Sequence, residues 1–198
     1  RRGPVGIGPN RINAWTIQAS AQGHCQYLRR QYGDQANQRG VVLTFDVRCY
    51  AQKGVYAEDR PNPVKALDGW MLARAAAEVY TANGMKVYLF KTARSTPELS
   101  FAIRHLNAVS GDMFSASHNL PPDNGKKVYD EHGGQLIPPH DQDLVDEVTR
   151  NVSGIERLDF EEACAKGRVV FVGEEIDRAY QAAARSVYRH LTGRALEP

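Results

Sequence analysis

The sequence of 198 residues contains no apolar stretch long enough to span a bilayer, and this excludes a transmembrane helix. It has only three cysteines, Cys25, Cys49 and Cys164, which are far apart and form no CxxC pair. This pattern disfavours a disulfide framework and a zinc site, and it predicts a protein of the reducing cytoplasm. The sequence also lacks an initial methionine and a signal-type apolar segment. We therefore expect a processed, engineered or partial form of something longer.

Neither sign of charge dominates the sequence. Lysine and arginine together number 25, aspartate and glutamate 23, and the formal net charge is +2. Such a chain has no basic excess that would attract nucleic acid or an anionic membrane, so we expect neither as a partner. The hydrophobic fraction of 42% and the charged fraction of 24% are typical of a globular domain with a core.

Helical and strand patterns alternate along the chain. Apolar residues at steps of three and four predict helices over about 13–32, 63–82, 96–106, 141–152 and 174–191. Short runs of mostly apolar residues predict strands at 41–45, 86–90 and 169–172, and the position of 108–114 after a helix indicates a further strand there. A polar glycine turn at 130–134, flanked by two short apolar runs, predicts a β-hairpin. We expect an α/β fold of three layers, in which helices cover both faces of a mixed, mostly parallel sheet.

A dense group of polar side chains follows the third predicted strand, at the sheet edge where α/β folds collect ligands. The segment 115–127 contains serines, a histidine, amides and two lysines. A serine hydroxyl becomes a nucleophile only beside a base, a metal ion or fixed positive charge. A phosphoryl group on Ser117 would need cations and N–H donors, for which His118, Lys126 and Lys127 are candidates. From these residues alone, the segment is either an acyl- or phosphoryl-transfer loop or a polar surface loop with a capping serine.

Six segments resemble, in order and spacing, motifs of the α-D-phosphohexomutase superfamily, which includes phosphoglucomutase and phosphomannomutase. Residues 115–119, Ser-Ala-Ser-His-Asn, resemble its phosphoserine signature. Similar matches occur at 2–11, 45–48, 96–104, 124–129 and 134–141. The chain resembles most the phosphoglucomutase branch that includes phosphopentomutase-like members.

The resemblance implies an N-terminal phosphoserine domain. In the parent enzyme Ser117 would exchange its phosphoryl group with a sugar through a bisphosphorylated intermediate, interconverting sugar 1-phosphate and 6-phosphate. The resemblance also implies Mg²⁺, held in this chain only through the phosphoryl oxygen on Ser117, and a sugar 1,6-bisphosphate activator. Catalytic positions of the family correspond to Ser117, His118, Lys127 and Arg2, and candidate substrate or phosphate contacts to Asn119, Arg48 and Lys126.

Several positions keep more than one interpretation. Leu120 stands where the family has proline, and Lys126 where it has tyrosine. The Lys126 ammonium would either assist phosphate binding or lie in solvent, and we favour the solvent position. Arg48 would either bind phosphate or form a structural ion pair with Asp46. His24, on a predicted helix, is expected to have a packing, capping or surface role rather than a catalytic one.

The metal, sugar and phosphate-clamping loops of the family are not found in this sequence. We expect residues 1–153 to form the phosphoserine domain, and residues 154–198 to form a connector and helix that lead toward a second domain. A phosphosugar and the downstream domains would be its partners, and the chain alone should have little or no mutase activity. The alternatives are a phosphomannomutase, a phosphopentomutase, or a binding or regulatory module without catalysis.

Overall fold

The computed structural model describes residues 2–50 and 59–195. The strands are β1 (Arg2–Pro4), β2 (Val41–Phe45), β3 (Val87–Phe90), β4 (Ser110–Phe114), β5 (Asp123–Tyr129) and β6 (Val169–Val172). The helices are α1 (Ala14–Tyr32), α2 (Gln35–Arg39), α3 (Gly69–Ala82), α4 (Thr96–His105), α5 (His140–Asp146), α6 (Phe160–Ala165) and α7 (Glu174–Thr192). A π-helical turn, Glu147–Asn151, continues α5.

The six strands form one mixed sheet in the order β1-β5-β4-β2-β3-β6. The pairs β4–β2, β2–β3 and β3–β6 are parallel, whereas β5 runs antiparallel to both β4 and β1. Phe45 pairs with Phe114, so β2 and β4 end side by side at the carboxyl edge of the sheet. This architecture confirms the predicted mixed, mostly parallel sheet.

Helices cover the two faces of the sheet because successive strand side chains point to opposite sides. On β2, Val41 and Leu43 belong to the larger apolar cluster, which includes residues of α1 and α3. Val42 belongs to the second cluster, with Leu99 and Ile103 of α4. Each such buried side chain stabilises the fold by roughly 1.5–3 kcal/mol relative to an exposed one. The three predicted layers are therefore present.

Helix starts follow from capping side chains. Asn13 caps α1: its Oδ1 accepts from the Thr16 backbone N–H at 3.0 Å, and Thr16 Oγ1 accepts from the Asn13 N–H at 3.1 Å. The predicted start of the second helix at residue 63 is wrong, because Asp68 Oδ1 accepts from the Met71 N–H at 2.7 Å and α3 begins at Gly69. Ser95 caps α4, because its Oγ accepts from the Glu98 backbone N–H at 3.4 Å.

Two segments for which the sequence predicts no strand contain strands that build the edge of the sheet. Arg2–Pro4 forms β1, and β5 begins at Asp123 rather than after the polar loop. The predicted hairpin turn is present, since the Asp130 N–H donates to the Gly134 carbonyl at 2.8 Å. Its second arm is limited to one bridge between Tyr129 and Gln135. As a result, the polar loop spans only 115–122 and is anchored by strands at both ends.

The sheet extends past residue 153, where we predict the boundary between the phosphoserine domain and the connector. β6 lies beyond that residue and pairs with β3, and Ile176 of α7 is buried in the second cluster. Further along α7, Val187 is 58% and Leu191 75% exposed. Within residues 2–50 and 59–195, every helix is too short or too polar to cross a bilayer.

Candidate functional site

The loop that connects β4 to β5 presents Ser117 at the carboxyl edge of the sheet. Ala116 is fully buried, and the Ser115 N–H donates to the Gly125 carbonyl at 3.0 Å, so the base of the loop is fixed. Ser117 is exposed and has a φ of 56°, in the left-handed region that costs an L-residue about 1–2 kcal/mol. Its own N–H donates to Ser115 Oγ at 2.9 Å. This turn directs Ser117 outward.

Lys127 of β5 is in direct contact with the Ser117 side chain, because its Nζ donates to Ser117 Oγ at 2.5 Å. Partial burial is the main cause that lowers the pKa of Lys127, and the nearby charges of Arg2 and Arg48 lower it further. A lowered pKa makes the Lys127 ammonium a stronger proton donor than an ordinary lysine. The pair therefore joins a hydroxyl oxygen to a proton donor.

An open cavity of about 410 Å³ adjoins this pair, within the range of small-molecule sites. Arg2, Ser117 and Lys127 line it, together with Asp141 and Leu144 from the start of α5. Arg2 reaches the cavity because β1 pairs with β5, where Arg2 lies opposite Gly125. The structure thus brings together three of the four predicted catalytic residues. The fourth, His118, is exposed beside Ser117 in the chain.

Arg48 and Asn119, two of the predicted substrate or phosphate contacts, form hydrogen bonds with the 117–123 segment, which carries Ser117. Arg48 Nε donates to Asp46 Oδ2 at 2.9 Å, so the predicted ion pair exists, and its other N–H groups reach backbone carbonyls of the loop. Asn119 Nδ2 donates to Asp123 Oδ2 at 2.8 Å. Donor groups of both side chains are therefore paired with atoms of the 117–123 segment.

The expectation of a solvent-exposed Lys126 is wrong. Lys126 is only 4% exposed, and its Nζ lies 3.2 Å from Asp112 Oδ2 and 3.1 Å from Tyr80 Oη. The reason is the two-residue period of a strand, which places neighbouring lysines of β5 on opposite faces. Lys127 faces Ser117, whereas the Lys126 ammonium lies in the buried layer beside α3.

A buried polar cluster surrounds Lys126, and sequence reasoning missed it. Tyr80 donates its hydroxyl proton to Asp112 Oδ2 at 2.6 Å, and His24 Nδ1 lies 2.6 Å from the same Tyr80 oxygen. Burial is the main cause that lowers the pKa of His24 and raises the pKa values of Tyr80 and Asp112. The available signal was a polar or titratable residue within each of three predicted elements, His24, Tyr80 and Asp112, but their convergence depends on long-range packing.

The described side chains around Ser117 do not form an Mg²⁺ site by themselves. Lys127 Nζ contacts the Ser117 hydroxyl. Arg2 and Arg48 lie close enough to lower the pKa of Lys127, whereas the Asp46 carboxylate, which Arg48 binds, raises it. Across residues 2–50 and 59–195, no three His, Cys, Asp or Glu side chains lie close enough together to hold a metal ion. Such surroundings favour an anion, and a phosphoryl group is one that they would stabilise.

Fold and site together define an α/β/α domain that presents a serine among cations at the carboxyl edge of its sheet. Residues 67–154 match the family model described as phosphoglucomutase/phosphomannomutase, alpha/beta/alpha domain I. The phosphopentomutase of Mus musculus is 37% identical over 151 residues, which are 76% of this chain and 22% of that protein. The phosphoglucomutase of Staphylococcus saprophyticus is 31% identical over 188 residues, 94% of this chain and 30% of that protein.

A solved structure agrees with these sequence relatives. One described as a phosphomannomutase from Thermus thermophilus superposes with a TM-score of 0.59 at 29% identity, covering 82% of this chain and 32% of that one. The chain belongs to the phosphoglucomutase/phosphomannomutase family and corresponds to its N-terminal domain. It spans between about a fifth and a third of the length of these relatives.

Proposed function

We propose that Ser117 is the phosphoryl carrier of a mutase that interconverts hexose 1-phosphate and 6-phosphate, a phosphoglucomutase in particular. The contact of 2.5 Å between Lys127 Nζ and Ser117 Oγ, beside an open cavity, carries this proposal. Ordinary serine hydroxyls are weak nucleophiles, and a fixed cation lowers the cost of charge on the oxygen. The family membership of the chain adds the expectation of phosphosugar chemistry.

The first transfer breaks the P–O bond between the phosphoryl group and Ser117 Oγ and forms a P–O bond to a sugar hydroxyl. Lys127 is placed to donate a proton to the departing Ser117 oxygen, and the sugar hydroxyl must lose one. In the second transfer the other phosphate of the bisphosphorylated sugar returns to Ser117 by the reverse steps. Since both transfers need charge stabilisation at the phosphoryl oxygens, Arg2 acts as a fixed cation there, and the Lys127 ammonium adds positive charge until it donates its proton.

His118 and Asn119 take supporting roles in this proposal. His118 is exposed next to Ser117, where its imidazole can accept the proton of an incoming sugar hydroxyl. Asn119 acts through the loop, because its side-chain amide is held by Asp123. The remaining Mg²⁺ ligands, the sugar-reading groups and the phosphate clamp are proposed to belong to downstream domains of the parent protein. The chain alone should therefore lack efficient mutase activity.

Phosphopentomutase is the second candidate, favoured by the 37% identity to the mouse protein of that name. The names of the relatives differ, and the residues around Ser117 contact a phosphoryl group rather than a sugar ring in either reaction. The groups that distinguish one sugar from another are therefore proposed to lie outside this site.

A coupled assay on the protein expressed from its complete reading frame tests the proposal. Glucose 1-phosphate and ribose 1-phosphate would be supplied separately, with Mg²⁺ and the matching bisphosphate. We expect Ser117→Ala to lose at least about a thousandfold in kcat, as expected for removal of a nucleophile. Ser153→Ala, at an exposed serine outside the loop, is the matched control and should retain full activity. Wild-type turnover that survives Ser117→Ala would refute the proposal.

A further inference from the structure

Arg48 directs every N–H group of its guanidinium at an oxygen of this chain. Nε donates to Asp46 Oδ2 at 2.9 Å. The two Nη1 protons go to the carbonyls of Leu120 at 2.8 Å and Asp123 at 3.1 Å. The two Nη2 protons go to the carbonyls of Ser117 at 2.6 Å and Asn119 at 3.0 Å. An arginine has five such donors, so five acceptors use them all.

We propose that Arg48 is a positioning residue, which binds four backbone carbonyls of the 117–123 segment and thereby holds Ser117 against Lys127. With its N–H groups occupied, Arg48 has no donor left for a phosphate of the substrate. This replaces the sequence-based expectation of a phosphate contact. We call the five hydrogen bonds of the Arg48 guanidinium the clamp. Its effect on catalysis rests on the proposed role of Ser117, whereas the hydrogen bonds themselves do not.

The loop needs such a partner because it carries backbone strain and lacks a regular ladder. Ser117 has a φ of 56°, and strained backbone persists only where its surroundings over-determine it. Four carbonyls that converge on one guanidinium supply that constraint, since hydrogen bonds to a charged donor are stronger than neutral ones. The Arg48 side chain is only 14% exposed, so water has little access to its guanidinium donors.

The clamp is itself fixed to the central strands. Asp46 follows β2 directly, and its N–H donates to the carbonyl of Phe114, the last residue of β4, at 3.1 Å. Asp46 Oδ1 accepts from the Arg48 N–H at 3.1 Å, and its Oδ2 accepts from Arg48 Nε. Through these bonds the position of the Ser117 loop is tied to the ends of β2 and β4, rather than to the loop alone.

Arg48→Lys tests the clamp, because lysine keeps the positive charge but offers three donors from a single atom. Amide hydrogen exchange would be measured by NMR on the chain of 198 residues. We expect the amides of Ser117, Asn119 and Asp123 to exchange at least about tenfold faster, since two or more carbonyls lose their charged donor. Amides of β2 and β3, which lie in the parallel part of the sheet, should keep their protection.

Arg39→Lys is the matched control. Arg39 also binds backbone carbonyls, those of Asn107 at 2.8 Å and Ala108 at 3.3 Å, away from the Ser117 loop. Its replacement should leave exchange in the 117–123 segment unchanged. Unchanged exchange of that segment in Arg48→Lys would overturn the clamp. If Arg48→Lys fails to fold, Arg48→Gln and Arg48→Met are compared in its place: localised loop opening supports the clamp, and wild-type loop protection in either variant overturns it.

Kinetics of the complete protein then separate a positioning role from a merely structural one. Arg48→Lys should lower kcat by about tenfold or more with little change in KM, because a displaced nucleophile reduces reactive geometry rather than substrate binding. An unchanged kcat in a variant with a loosened loop would overturn the positioning role. Loop opening in a protein that shows no Ser117-dependent turnover would instead refute the proposed function and leave the clamp established.

Discussion

Replacing Lys126 by methionine should strongly destabilise the domain, because it leaves the buried Asp112 carboxylate without its cation. Asp112 is fully buried and Lys126 is 4% exposed, with their charged atoms 3.2 Å apart. Among the described residues, the other basic side chain within 4 Å of this carboxylate is His24, whose lowered pKa keeps it neutral. Without the ammonium, the carboxylate keeps the hydrogen bond from Tyr80 as its principal contact. Removing one partner of a buried ion pair costs about 3–5 kcal/mol.

That loss corresponds to a change of roughly a hundredfold to several thousandfold in the folding equilibrium. Urea denaturation at neutral pH, followed by circular dichroism, would measure it. The double variant Asp112→Leu/Lys126→Met should recover most of the loss, because it removes both buried charges. Lys166→Met is the matched control: Lys166 pairs with Glu162 at the surface, where an ion pair contributes at most about 1 kcal/mol.

A free energy of unfolding for Lys126→Met within about 0.5 kcal/mol of the wild-type value would refute this reasoning. It would mean that the two groups are not both charged in the folded protein, or that water reaches them. A double variant as unstable as Lys126→Met would equally contradict this reasoning, because removal of the unpaired carboxylate should restore stability if that carboxylate causes the loss.

Two further predictions concern α4. The pKa of Glu98 is raised from 4.5 to about 7, mainly by burial and then by Asp177 of α7. The protonated carboxyl therefore stabilises the fold most below about pH 4.5, and this contribution is lost as the pH rises through about 7. Glu98→Gln should flatten this part of a stability–pH profile measured by urea unfolding, and an unaltered profile would contradict the assignment. Gly111→Ala on β4, which faces Ile103 of α4, should lower Tm because the added Cβ would lie 2.6 Å from Ile103 Cδ1. Overpacking of this kind costs about 1–3 kcal/mol. An unchanged Tm in differential scanning calorimetry would disprove this steric argument.

The sheet could be predicted well from the sequence because its strands and helices are locally encoded. The run Val41–Phe45 is apolar apart from Thr44 and forms a central strand, and Asn13, a residue type favoured at N-caps, caps the first long helix. The order of the motifs also indicated that Ser117 lies at the carboxyl edge and that Lys127 is its neighbour. These features depend on residue type and on strand order, both of which are visible in a sequence.

The features that were missed depend on pairing between distant segments. The short strand Arg2–Pro4 is too brief to show a period, and only its partner β5 defines it. The solvent position expected for Lys126 assumes that 123–127 is loop, where no alternation of faces applies. The spacing of Arg48 and Asp46 predicts their ion pair, but the four loop carbonyls that Arg48 binds come from residues about 70 positions later. A backbone acceptor leaves no side-chain pattern in a sequence.

Mass spectrometry of the protein from the complete reading frame tests most directly whether Ser117 carries a phosphoryl group. After incubation with glucose 1,6-bisphosphate and Mg²⁺, we predict an added mass of one phosphoryl group, which peptide mapping locates on Ser117. Ser117→Ala should gain no such mass, because the oxygen that Lys127 contacts is absent. A wild-type protein that gains no phosphoryl group, or one that carries it on another residue, would contradict the proposed role of Ser117.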